Sequence, residues 1–199
     1  MLLGDVEYRK ICVMEKVRND LDSAVKNLWK SRDRYEDEDI NHVPIREDEK
    51  KAIQPLVDKG YEYIGHGCAR IVLRFPDSLD NYVVKLARFG DEPSSIGMWQ
   101  NQNELKLWSE LYSSNKPLLP IFDWQEPHVR WLVMPYGDKL SDEYITDADS
   151  VIPSLKNRLK SISELDELEL EPVNFVMYKN KPYLSDYGIA DTSFIFEQD

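Results

Sequence analysis

The sequence predicts an α+β protein with an antiparallel sheet. Three observations carry this. Tyr61–Gly65, Ile71–Phe75 and Tyr82–Ala87 are rich in β-branched and aromatic residues and are separated by short turn-forming stretches. A helical stretch, Ile96–Tyr112, follows, with Trp99, Leu105, Leu107, Trp108 and Leu111 as its apolar residues. Two further strand-like runs, Leu118–Trp124 and Val129–Tyr136, precede a helix near Ile152–Ile162 and a last pair of short strands, Phe175–Tyr178 and Pro182–Leu184.

The elements ahead of the sheet follow from periodicity and punctuation. Val6, Val13, Met14, Val17, Leu21, Val25, Leu28 and Trp29 recur mostly at three- and four-residue steps, the stripe of an amphipathic helix. That helix either lies on the main domain or serves as a partner or homodimerisation helix. Residues 35–46 read as a connection, with the acidic run Glu36-Asp37-Glu38-Asp39 and with Pro44 discouraging helix at Val43. A short helix then covers Glu47–Asp58, and Gly60 ends it. The expected organisation is therefore an N-terminal helix and acidic linker over 1–46, a sheet-bearing region over 47–137 and a smaller region over 138–199.

Composition narrows the function. The chain has 199 residues, 25 Lys+Arg against 37 Asp+Glu, and a formal charge of −12. So acidic a chain is a poor candidate for coating nucleic acid or an anionic membrane, because phosphate binding needs a positive field. No apolar run approaches the roughly 20 residues of a membrane span, and the first residues lack a signal-peptide core. Two cysteines, Cys12 and Cys68, make neither a disulfide framework nor a zinc site. The expectation is a soluble cytoplasmic protein that binds neither nucleic acid nor membrane. Its three histidines, His42, His66 and His128, show no metal-ligand spacing.

Three segments carry chemistry. In Ile64-Gly65-His66-Gly67-Cys68-Ala69-Arg70-Ile71-Val72, two glycines between two strands let a hairpin backbone lie close over a ligand, with N–H groups facing phosphate oxygens; a glycine pair can also be only a turn. Cys68 in this loop is either a reactive thiol or merely small. Lys85 stands among Val83, Val84, Leu86 and Ala87; it either snorkels to solvent or, if buried, needs an anion, and Glu104 lies 19 residues on in the predicted helix. Finally, Asn174 and Asp186 stand at two strand edges of one hairpin, where both oxygens can meet a divalent cation such as Mg²⁺.

Together these residues resemble the protein-kinase-like superfamily. Gly65 and Gly67 followed by Val72 look like the glycine-rich loop, Val83-Val84-Lys85 like the third-strand lysine, and Glu104 like the helix-C glutamate. Val133-Met134-Pro135-Tyr136-Gly137 resembles the hinge, Pro172-Val173-Asn174 the end of the catalytic loop, and Asp186-Tyr187-Gly188 the metal-binding motif. The resemblance covers residues 61–188, in order and correctly spaced. It implies an antiparallel-sheet N-lobe with a helix C, a strongly reduced C-lobe and an N-terminal helical extension. It also implies ATP and Mg²⁺ as cofactors. Gly65, Gly67, Val72, Lys85, Met134, Pro135 and Gly137 would hold the nucleotide, and Asn174 and Asp186 the metal. Lys85, Glu104 and Glu169 would be the catalytic residues.

The departures from the family pattern are specific. Arg70 replaces the third loop glycine and either contacts phosphate or hinders entry. Glu169 stands where the family has its catalytic Asp, and Glu171 where many members have a lysine. Eleven residues follow Gly188, too few for an activation segment and a large helical lobe. The acid cluster Glu164, Asp166, Glu167, Glu169 and Glu171 is either a solvated loop or a site for a basic substrate or second metal. Three functions are compatible with these residues: a minimal phosphotransferase acting on a hydroxyl acceptor, a pseudokinase binding module, and an unrelated α+β interaction protein.

Overall fold

The computed structural model describes residues 5–29, 44–67, 69–79, 81–88, 96–111, 116–140, 151–159 and 172–188. The chain is α+β, and its described residues form four α-helices and a five-stranded antiparallel sheet, among other elements. It divides into two compact units, Met1–Met98 with Phe122–Met134, and Trp99–Ile121 with Pro135–Asp199.

The first unit begins with α1 (Asp5–Trp29) and α2 (Glu47–Val57). Val17, Leu21, Ala24, Val25, Leu28 and Trp29 of α1 are buried in one core with Ala52, Ile53 and Leu56 of α2. From Val17 onward, then, the apolar stripe packs within the chain's own unit. Polar anchors fix the seating. Asp22 accepts hydrogen bonds from the Trp131 indole at 2.7 Å and the Gln125 amide at 2.6 Å. Arg18 pairs with Asp123, and the Arg130 guanidinium lies 3.5 Å over the Trp29 ring. Three acids in the first turn of α2, Glu47, Asp48 and Glu49, suit the positive end of the helix dipole. Gly60, at φ +92°, closes the turn after α2, as its sequence position predicts.

The sheet contains β1 (Glu62–His66), β2 (Arg70–Arg74), β3 (Tyr82–Ala87), β4 (Asp123–Trp124) and β5 (Trp131–Pro135), in spatial order β1-β2-β3-β5-β4. β1 is an edge strand and mostly exposed, whereas β5 is buried throughout. β1 and β2 form a hairpin whose register shifts between Tyr63 and Gly65, leaving Ile64 as a bulge. The predicted strand Leu118–Trp124 shrinks to β4 and an isolated parallel bridge from Leu118 to Leu184. Pro120 lacks the N–H that a continuous ladder requires.

The second unit holds most of α3 (Ile96–Leu111), α4 (Val151–Leu159) and a small sheet of β6 (Asp138–Lys139), β7 (Phe175–Tyr178) and β8 (Lys181–Leu184), in that order. Leu119 and Leu184 exchange backbone hydrogen bonds along the 117–119 segment, Leu119 N–H to Leu184 C=O and Leu184 N–H to Pro117 C=O, both at 2.8 Å. No helix among the described residues is long and apolar enough to cross a membrane.

Candidate functional site

In the first unit the β1–β2 turn, the glycine pair and Lys85 come together through strand register. Gly67 closes the turn by donating its N–H to the Arg70 carbonyl at 2.9 Å. Val72 is the cross-strand partner of Lys85, and Arg70 that of Ala87. Lys85 is buried in the middle of β3, so its ammonium does not simply project into solvent. Arg70 is buried as well, at 5% exposure, so it is packed rather than free to sweep over the loop.

The glycines differ in why they are glycine. At Gly97 a Cβ would sit 2.3 Å from the Ala69 carbonyl oxygen, and at Gly137 it would sit 2.5 Å from Val176. At Gly188 it would sit 2.3 Å from the Gln100 carbonyl oxygen. Packing excludes a side chain at all three. At Gly65 and Gly67 a Cβ would meet no described atom within 4 Å. Neither has the positive φ that favours glycine. The architecture of the described residues therefore accounts for Gly97, Gly137 and Gly188, and for neither glycine of the turn.

His66, between those glycines, shares a hydrogen bond through Nδ1 with the Tyr63 hydroxyl. Burial and the nearby Arg88 cation lower the His66 pKa, and burial raises that of Tyr63, so both partners favour their neutral forms.

In the second unit, the β7–β8 hairpin brings Asn174 and Asp186 to one edge. Phe175 pairs with Leu184, so the residues flanking those strand ends are neighbours. Ser185 donates its backbone N–H and its hydroxyl to the Asn174 carbonyl, at 2.8 and 2.9 Å. Both Asn174 and Asp186 are partly exposed. Next along the chain, Tyr187 is fully buried; its hydroxyl donates to the Leu119 carbonyl at 2.8 Å and its N–H to the Glu104 carboxylate at 3.3 Å. The 185–188 segment is thus fastened to α3 and to the 117–119 segment.

Met134 and Pro135 are buried at the end of β5, and Gly137 is partly exposed. Lys85 belongs to the first unit and Glu104 to the second, and both are buried. Glu169, the rest of the acid cluster over 164–171, Cys68 and the acidic run 36–39 lie outside the described residues. Among the described residues no group of three or more His, Cys, Asp or Glu is placed to hold a metal ion. Asn174 and Asp186 supply one amide and one carboxylate oxygen, a donor set suited to Mg²⁺ only when phosphates and waters complete the shell.

The Arg88 side chain, which has no motif to mark it in the sequence, is tied to the turn by several bonds. It makes a bidentate pair with Glu49 and reaches the carbonyls of Gly67 and Pro44. Its position just after an apolar strand is the only signal the sequence offers. No known protein family and no curated protein significantly matches this chain.

Proposed function

We propose that the chain is a small protein-kinase-like phosphotransferase that binds Mg·ATP and transfers phosphate to a hydroxyl acceptor. The observation that carries this reading is the pair Gly65 and Gly67. Neither backbone conformation nor packing among the described residues accounts for them, and open space lies where their side chains would be. A turn kept bare of side chains is what close approach of phosphate oxygens to backbone N–H groups requires. The buried Lys85 stands opposite Val72 across the β2–β3 ladder, in register with this turn.

On this reading Gly65, Gly67 and Val72 lie against the nucleotide, and the backbone of Met134, Pro135 and Gly137 receives the adenine. Lys85 holds the α/β-phosphates. Asn174 and Asp186 are the cation ligands, and bound Mg²⁺ would neutralise charge on the phosphates. Glu169 receives the acceptor hydroxyl's proton.

A second reading is a pseudokinase, a nucleotide- or protein-binding regulatory module without catalysis. The buried Arg70 at the third glycine position favours it, because a packed side chain there narrows the backbone's approach to phosphate.

A thermal-shift titration with ATP, with and without Mg²⁺, tests both. Ligand at about 100 times its dissociation constant stabilises by about 2.7 kcal/mol. No shift at millimolar Mg·ATP removes the phosphotransferase and the nucleotide-binding module together.

A further inference from the structure

Arg88 and Glu49 form a buried pair whose placement ties three segments together. Both side chains are wholly inaccessible. Arg88 Nε donates to Glu49 Oε1 at 2.8 Å and Nη2 to Oε2 at 2.7 Å, the bidentate geometry in which Arg is strongest. The remaining donors leave the pair: Nη1 reaches the Gly67 carbonyl at 2.6 Å, and Nη2 the Pro44 carbonyl at 3.0 Å. Glu49 also accepts from the Arg46 N–H at 3.0 Å, fastening the first turn of α2. One guanidinium therefore links the second glycine of the β1–β2 turn, the entry to α2 and the segment before it.

A hydrophobic pair of similar volume would serve stability at least as well, because desolvating two charges offsets most of their attraction. What apolar side chains cannot do is donate to a particular carbonyl. We infer that Arg88 is a positioning residue: held by Glu49, it fixes the Gly67 carbonyl and so sets the β1–β2 turn in the posture that receives phosphate, with α2 as the anchor. This rests on the nucleotide-binding reading for its functional consequence, but not for the tether itself.

The test uses the full chain carrying Glu49→Leu with Arg88→Met, which removes the tether without leaving a buried charge unpaired. Two readouts are taken. Hydrogen exchange of the 62–72 amides in the nucleotide-free protein should accelerate by about tenfold or more, the effect of losing a hydrogen bond to a charged group. Affinity for Mg·ATP should fall by about tenfold for the same reason, while affinity for adenosine, which has no phosphates, stays within a factor of about two. Unchanged exchange in the hairpin overturns the tether. Faster exchange with unchanged Mg·ATP affinity overturns its role in phosphate positioning. Equal losses for adenosine and Mg·ATP overturn it too, because the defect is then not at the phosphates. A parent that binds no Mg·ATP removes the nucleotide-binding reading, and with it the phosphate role, while the exchange measurement still decides the tether. If the double variant does not fold, Arg88→Lys keeps the buried charge pair but not the fork, and the same readouts apply.

Discussion

Ser185 holds the Asn174 carbonyl with two hydrogen bonds, one from its backbone N–H and one from its hydroxyl. The backbones on either side of the β7–β8 hairpin are thereby held together beside Asn174 and Asp186. With one carboxylate and one amide, this edge is too weak to hold Mg²⁺ alone, since that ion needs near-octahedral oxygen coordination and keeps several waters or phosphates. The expected result is stabilisation by Mg²⁺ only when ATP is present. Asp186→Ala should abolish the Mg²⁺-dependent part of the ATP thermal shift and leave the apo transition within about 1 kcal/mol of the parent, as for a partly exposed side chain. Equal Mg·ATP stabilisation in parent and variant would take Asp186 out of the site.

Gly65 and Gly67 give a prediction with opposite signs for stability and binding. Where a glycine's conformation suits alanine, the substitution stabilises by about 0.4–1 kcal/mol through the unfolded chain. Both positions have open space and no positive φ. Gly65→Ala and Gly67→Ala should therefore leave Tm unchanged or raised, and lower Mg·ATP affinity while sparing adenosine. Chemical denaturation and calorimetric titration of the same samples check both halves. Variants as good at binding as the parent would reduce the pair to an ordinary turn.

The contrast between glycines shows how far the sequence could be read. The strands Tyr82–Ala87 and Phe175–Tyr178 are legible because their β-branched and aromatic residues form uninterrupted runs between turn residues. β6 is not legible, because Asp138 and Lys139 show no apolar alternation and owe their strand geometry to Val176 and Met177 across the ladder. Leu118–Trp124 departs for the reverse reason: Leu118, Leu119 and Ile121 are buried as a strand's would be, but Pro120 interrupts the run and only Asp123–Trp124 form a ladder. Candidate residues are legible where the chemistry a side chain could do is plain from its type and neighbours, as at Lys85 and Asp186. Arg88 is not legible, because nothing in the sequence links a residue after β3 to Glu49, 39 positions earlier, or to a backbone carbonyl in the turn.

His66 reports on the turn directly. Burial first, and the Arg88 cation second, disfavour its charged form, with Glu49 acting the other way. Its NMR titration midpoint should lie below the ordinary value of 6.5. Between that midpoint and 6.5 the unfolded chain binds a proton that the native ring refuses, so the contribution to stability rises with pH across the window and is lost as pH falls through it. Tyr63→Phe reads the direction of the shared hydrogen bond: loss of a donor to the neutral ring moves the midpoint upward, and loss of an acceptor from the ring N–H moves it downward. A midpoint above 6.5 in the parent would contradict the turn's geometry.

The last prediction separates enzyme from binding module and turns on Glu169. In a phosphotransferase this carboxylate takes the acceptor's proton, and Glu169→Gln keeps its shape and hydrogen bonding while removing that capacity. General-base catalysis contributes about 10²–10⁴-fold. Phosphoryl transfer through a loose transition state asks less of its base, so the expected loss of turnover lies toward the lower end of that range, with Mg·ATP affinity unchanged. The glutamate stem is one methylene longer than that of the aspartate in the protein-kinase-like pattern the sequence resembles, and a misplacement of about 1 Å can itself cost on the order of 100-fold. Glu169→Asp therefore asks a second question of the same site. Turnover that rises in Glu169→Asp and falls in Glu169→Gln identifies a base held slightly out of place. Turnover unchanged in Glu169→Gln shifts the role to Asp166 or Glu167. A parent that binds Mg·ATP yet shows neither transfer nor ATP hydrolysis decides for the pseudokinase, with Gly65, Gly67, Lys85 and Asp186 then serving recognition alone.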